Sequence, residues 1–218
     1  MIPLRIRAHL NGPVCLPGGP ISLDGLLAYA VALRGDLPPV LNTADVRPIE
    51  IPVQREPGGR FHLASFSEYE AEERENRWLN KRTDIVEAQA LGDERFKRIG
   101  LSTGVNKSWR LPMEMIHLKG DVMTWWCIGD PAQVSDLLGC IGYISKKRGL
   151  GHGRVHRWDV EACEVWPGFP VVRNGQALRP LPIDWPGLSE DVEQAFRTLT
   201  YPYWQRHLEV LCAVPAWG

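Results

Sequence analysis

The chain has 218 residues, of which 44% are hydrophobic and 23% charged, with a formal net charge of −1. That balance excludes a long disordered chain and leaves material for one large domain or two small ones. No window approaches the roughly 18 apolar residues of a membrane helix, and the opening Met1-Ile2-Pro3-Leu4-Arg5-Ile6-Arg7 alternates where a signal peptide would be continuously apolar, so a cytosolic location with no membrane partner is expected.

Leu4, Ile6, Ala8 and Leu10 alternate with Arg5, Arg7 and His9, which predicts a strand with one apolar and one basic face. Residues 13–20 form a Gly/Pro loop. Ser22 or Asp24 is then placed to cap a helix over residues 26–33, stopped by Gly35. Residues 49–53 and 60–66 read as a hairpin turning at Pro57-Gly58-Gly59. Residues 67–82 are highly charged, with Tyr69, Trp78 and Leu79 as the main apolar anchors. Residues 74–110 are expected to form an insertion of irregular or short helical structure, ending in a polar, basic stretch that carries Lys107, Trp109 and Arg110.

Residues 113–118 and 122–128 are expected to pair as two strands across Lys119-Gly120-Asp121. Asp130 and Pro131 open a helix whose buried face would comprise Val134, Leu137, Leu138, Ile141 and Ile144. Residues 155–161 alternate again as a strand. Beyond Pro167 the chain is proline-rich, with a short helix expected around residues 190–199 and a final apolar segment at 208–214. This order of elements is compatible with an α+β, ferredoxin-like sheet. Cys15, Cys127, Cys140, Cys163 and Cys212 are scattered singly, so reduced thiols are expected and neither a metal site nor a cofactor is.

The near-zero net charge hides a segregation. Residues 146–157 hold Lys146, Lys147, Arg148, Arg154 and Arg157, two histidines and no acid, while residues 95–119 hold six cations against Glu114 alone. A phosphate responds to that local field and not to the net charge, because screening limits its reach to about 8 Å. Within the first stretch Gly149, Gly151 and Gly153 occupy alternate positions. They free the backbone to approach a ligand or to adopt positive φ, and loop amides can form an anion-binding concavity. The GK[ST] ending of a P-loop is missing, and the helix-then-strand order is the reverse of the dinucleotide fingerprint.

This segment resembles the C-terminal glycine-rich loop of the RAMP superfamily of CRISPR-associated proteins. The opening Pro3-Leu4-Arg5-Ile6-Arg7-Ala8-His9-Leu10 and Ile21-Ser22-Leu23-Asp24-Gly25-Leu26-Leu27-Ala28-Tyr29-Ala30 is similar to the subunit of type IV systems that holds the five-prime handle of the guide. The resemblance implies a ferredoxin-like, RRM-related core at residues 1–165, a thumb-like insertion at 67–112 and an irregular extension at 166–218 that packs on the core or on partners. It implies a noncatalytic subunit that binds guide RNA and caps a filament of backbone subunits beside a large subunit, with target DNA within reach.

The expected RNA contacts are Lys146, Lys147, Arg148, Gly149, Gly151, His152, Gly153, Arg154 and Arg157, joined on the sheet by Arg5, Arg7 and His9. Lys107, Trp109 and Arg110 are the expected thumb contacts. Two enzymatic alternatives stay open. One is an endoribonuclease that uses a histidine on the 2′-hydroxyl, and the other is an enzyme that cradles a phosphate ligand in the loop.

Overall fold

The computed structural model describes residues 1–35, 49–81, 86, 108–146, 148–203 and 205–216. It is a mixed α/β molecule of antiparallel sheets. The central strand β1 (Ile2–Asn11) lies between β4 (Val122–Gly129) and β5 (Arg154–Ala162), antiparallel to both. Strict alternation in β1 sends Leu4, Ile6 and Ala8 fully inside and Leu10 nearly so. Each buried Leu or Ile contributes about 1.5–3 kcal/mol relative to exposure, so a one-residue slip of register would forfeit the whole set.

Helices α1 (Leu23–Leu33) and α2 (Pro131–Leu138) cover this apolar face. Asp130 caps α2 as expected, its Oδ1 accepting from Gln133 N at 2.9 Å. The helix stops at Leu138, however, and Ile141 and Ile144 reach the core from irregular chain. Gly139 and Gly142 withdraw the helix-forming residues that a longer helix would need. At α1 the N-cap residue is Ser22, without a side-chain cap bond, and Asp24 lies buried inside the helix.

The free edge of β4 is paired by residues 53–68, through the bridges Val53↔Gly129, Ala64↔Cys127 and Glu68↔Thr124. The expected turn at residues 57–59 forms, with the Glu56 carboxylate accepting from Gly58 N at 2.6 Å and Arg60 N at 2.8 Å. The hairpin around it is short, reduced to one bridge between Arg55 and His62, because its second arm pairs with β4 instead.

The charged stretch after residue 67 is not irregular. It is strand β2 (Ala71–Lys81), paired antiparallel along its length with β3 (Trp109–Leu118) in a two-stranded ribbon. Both faces of β2 are mostly exposed, so the hydrophobic alternation by which a strand is read from sequence is absent. The backbone ladder and the buried Met113 and Met115 of β3, with Leu79 of β2 packed against them, hold the ribbon, and the cross-strand contacts Arg74–Glu114 at 3.2 Å and His117–Glu75 at 3.1 Å add little. The same ladder corrects a second expectation. Residues 113–118 and 122–128 are strands, but β3 belongs to the ribbon and β4 to the central sheet, and they do not pair with each other.

The C-terminal region adds β6 (Val172–Arg173), β7 (Gln176–Ala177), β8 (Leu181–Pro182), β9 (Gln194–Arg197) and β10 (Val210–Ala213), with sheet order β8-β10-β9. The helix expected around 190–199 is therefore strand β9, held by pairing with the apolar β10, a long-range partner that local propensity does not report. Val171, Val172, Leu181 and Ala213 build a second core with Phe61 and Leu63.

Between the two cores His62 is 3% exposed, and neither ring nitrogen has a hydrogen-bond partner among the described residues. Burial pushes its pKa down to about 4. The unfolded chain therefore takes up a proton that the folded chain refuses. This makes stability full above pH 6.5 and lost progressively as the pH falls towards 4. Denaturation midpoints followed from pH 7 to about 5, where ordinary carboxylates are still ionised, should fall. His62→Leu should flatten that slope with no loss of stability at pH 7, since both unpaired nitrogens are removed together.

Candidate nucleic-acid interface

The glycine-rich loop is a projection with a fastened neck. Val155 N donates to Gly142 O at 2.9 Å and Ile144 N to Gly153 O at 3.0 Å, closing residues 142–144 against 153–155. The neck is also tied to residues 13–15: Gly153 N donates to Pro13 O at 3.0 Å, Lys146 N to Cys15 O at 3.1 Å, and Cys15 N to Ser145 Oγ at 2.8 Å. Beyond it Arg148–Leu150 makes a single 3-10 turn and the chain comes back through residues 151–153.

The three glycines have different duties. A side chain at Gly149 or Gly151 would meet no neighbour among the described residues. Gly151 has φ +85° and Gly153 φ +63°, in the region that disfavours other residues. At Gly153 a Cβ would also collide with Ser145 Cβ and lie 3.1 Å from Ser145 N. Gly153 therefore closes the neck, while Gly149 and Gly151 leave bare backbone on either side of the exposed Leu150.

Of the loop cations, Lys146 and Arg154 are exposed and have no acidic partner among the described residues. His152 is half-buried at the apex. Lys147 lies outside the described residues, as does the side chain of Arg148. Arg157 turns the other way, onto the open face of the central sheet, where its Nε is 3.0 Å from Asp159.

That face collects the three residues of β1 singled out from sequence. Arg5 bonds Glu161 at 2.8 Å, Arg7 bonds Glu161 at 3.0 Å, and His9 bonds Asp159 at 2.7 Å. The ladder pairs Arg5 with Glu161, Arg7 with Asp159 and His9 with Arg157 directly across β1 and β5. His9 and Arg5 hydrogen bonds hold the Asp159 and Glu161 carboxyls, respectively, below the usual carboxylate range. Three guanidiniums face two carboxylates, so the face keeps a positive surplus although each charge has a neighbour.

The loop at 13–17 joins the glycine-rich loop to the ribbon. On one side Pro13 and Cys15 hold the neck, and on the other Val14 exchanges two backbone bonds with Ile116 of β3, at 2.9 and 2.8 Å. A cleft of about 150 Å³ between Lys146, Cys15, Pro17 and residues 111–114 marks the junction. Trp109 and Arg110 sit at the far end of the ribbon from the core, opposite Lys81 and Asn80. Alternation puts them on opposite faces, so the structure does not bring them together. Arg110 lies instead over the ring of Trp78, 4.0 Å from its centre, and Trp78 is 51% exposed. Lys107 lies outside the described residues.

Sequence reasoning missed Trp78 as part of this end, having taken it as an anchor. Its one signal was a large aromatic in a run of charges. Trp125 and Trp126 divide as their strand alternates. Trp125 is fully buried, donating to Ile21 O at 2.8 Å. Trp126 packs with Trp166 and Phe169 on the other face, with Arg173 over both indoles. Among the described residues no group of three or more His, Cys, Asp or Glu is placed to hold a metal, and no helix is long and apolar enough to cross a membrane.

A family model described as CRISPR type IV associated protein Csf3 matches residues 63–215, more than half of the chain. The matched stretch includes the ribbon, β4, α2, the whole glycine-rich loop and the C-terminal sheet, and leaves β1 and α1 outside. No curated protein matches the chain.

Proposed function

The chain belongs to the type IV CRISPR-associated Csf3 family and is thereby a type IV CRISPR complex component; from that premise we propose that it is the noncatalytic subunit that grips the five-prime handle of a guide RNA and caps one end of the complex. The observation that carries this reading is the loop itself: a fastened neck, an apex with bare backbone at Gly149 and Gly151, and Lys146 and Arg154 exposed beside it. Such an apex suits the close approach of a phosphate backbone, which needs cations and amides and no particular base.

The sheet supports a ferredoxin-like core. Counting residues 61–68 as a strand, the order is that segment, β4, β1, β5, each antiparallel to its neighbour, with both helices on one face. In this reading the positive surplus of Arg5, Arg7, His9 and Arg157 extends the track beyond the loop, and the ribbon is the thumb. Trp78 with Arg110 on one face and Trp109 on the other would meet bases of the guide or of target DNA. The remaining surface serves the backbone filament and the large subunit. The reaction-free role fits a site whose histidines are explained by binding: His9 is engaged with Asp159, and His152 stands among the loop cations.

Co-expression with the neighbouring subunits followed by sequencing of bound RNA tests the reading. Short RNAs with one constant five-prime end are expected. RNA-free complex would defeat it, and trimming that depends on His9 or His152 would favour the endoribonuclease. In the bound complex, Lys146→Ala and Arg154→Ala should each lower the slope of log affinity against log salt by about one unit, read by filter binding at several salt concentrations. An unchanged slope in both would remove these side chains from the phosphate track.

A further inference from the structure

We propose that the free edge of β9 pairs with β9 of a second copy of this chain, antiparallel about Ala195, joining two C-terminal sheets into one. Three observations on the strand lead there, and none of them depends on the RNA-binding reading.

The first is which backbone groups are unused. In the β9–β10 ladder Val214 N donates to Glu193 O at 2.8 Å, so 193↔214 is a hydrogen-bonded pair. Such pairs alternate along an antiparallel ladder, which turns the amide and carbonyl of Glu193, Ala195 and Arg197 towards β10. Those of Gln194 and Phe196 therefore point out from the sheet, where β9 is the edge strand. Among the described residues nothing pairs with this edge except the chain's own Arg197, whose Nη1 donates to Phe196 O at 2.9 Å. An open edge is a template for a further strand.

The second is the charge along it. The edge reads Glu193-Gln194-Ala195-Phe196-Arg197. If a second copy runs antiparallel with Ala195 opposite Ala195, then Gln194 faces Phe196 of the other chain. Both are the outward-pointing residues, so each pair can exchange two backbone bonds. The same register sets Glu193 opposite Arg197 of the other chain, twice by symmetry, in non-hydrogen-bonded pairs where side chains approach most closely. Arg197 then exchanges its own Phe196 carbonyl for the carboxylate. A shift of the register by two residues separates both Glu193–Arg197 pairs.

The third is the other face. Phe196 is 62% exposed and lies directly opposite Leu211, itself 41% exposed, and Ile183, 49% exposed, follows just past β8. In the proposed register the two Phe196 rings are diagonal neighbours, a separation of roughly 7–8 Å between backbones that aromatic side chains span. The contact is isologous, one patch meeting itself about a two-fold axis. It is confined to a four-residue strand and one apolar row, so a weak, concentration-dependent dimer is expected.

Sedimentation velocity on the full 218-residue chain over a rising concentration series should show a monomer–dimer equilibrium. In a background carrying Cys212→Ser, which removes the thiol directly opposite on β10, and Cys140→Ser, which removes an exposed one, Ala195→Cys should give a disulfide-linked dimer under mild oxidation that the background chain does not give, because the two introduced thiols face each other across the axis. Arg197→Glu should weaken association by roughly tenfold, since two opposite-charge pairs become like-charge pairs. Adding Glu193→Arg to Arg197→Glu should restore it, which a folding defect would not allow. A chain that is monomeric throughout, an Ala195→Cys variant that fails to link, or a dimer indifferent to Arg197→Glu each overturns the pairing.

Discussion

Arg179→Ala should destabilise the fold by about 3–5 kcal/mol, because it leaves the Asp24 carboxylate buried and uncompensated. Arg179 is fully buried and Asp24 is 1% exposed. The guanidinium meets Asp24 Oδ2 at 3.3 Å and Tyr203 Oη at 3.1 Å, donates to Ala64 O at 3.0 Å and also to the carbonyls of His62 and Leu199, and lies 4.7 Å from the centre of the Phe61 ring. Tyr203 Oη donates to Asp24 at 2.7 Å, and burial raises this phenol well above its usual range. One side chain thus fastens α1, the edge segment at 62–64 and the C-terminal region to each other. For a chain of this size the loss corresponds to roughly 6–20 °C in Tm. Removing both partners in Arg179→Met with Asp24→Leu should cost less than Arg179→Ala alone, since no charge is stranded. Urea midpoints measure both. A cost under about 1 kcal/mol for Arg179→Ala would mean that water reaches Asp24 and the pair is not the fastening described.

The glycine-rich loop should respond to substitution in a graded way that charge cannot mimic. Gly149→Ala should weaken binding least, because its φ is ordinary and its Cβ would meet no described protein atom, leaving only the methyl set in the path of the phosphate as a cost. Gly151→Ala should weaken binding moderately, through a left-handed φ that costs about 1–2 kcal/mol for a residue with a Cβ. Gly153→Ala should be the most damaging, since the same strain is joined by a collision with Ser145 at the neck. The loop then loses the geometry that presents Lys146 and Arg154, with charge unchanged and both cores intact. Affinities for the co-purified guide RNA, with circular dichroism as a check on folding, would order the three variants. Equal affinities across the series would detach the loop from RNA binding.

Several features were legible because their cause is local. The alternation in β1 needs only a period of two, and the Asp130-Pro131 start of α2 needs only a side-chain acceptor and a fixed φ at adjacent positions. The glycine-rich basic loop was visible for the same reason, its residues being consecutive. The ribbon was not legible, since β2 is exposed on both faces and its stability comes from β3, across about thirty intervening positions. Nor was β9, whose partner β10 begins only after residues 198–209 and so lies beyond the reach of local propensity. Ile141 and Ile144 matched a helical period yet lie beyond the helix, because burial requires only that a side chain reach the core.

The sequence by itself determined which residues carry the charge, that residues 4–10 form a strand with one apolar and one basic face, and where the glycines concentrate, because these follow from composition and short-range periodicity. Only the tertiary structure decided how those charges are used. It gave Arg5, Arg7, His9 and Arg157 the carboxylates of β5 and left Lys146 and Arg154 without acidic partners among the described residues. It joined Trp78 to Arg110, and enclosed Arg179 with Asp24 from the far side of the chain. The reason is physical: a charge's environment is set by whatever lies within a few ångströms, and strand pairing brings together residues more than a hundred positions apart.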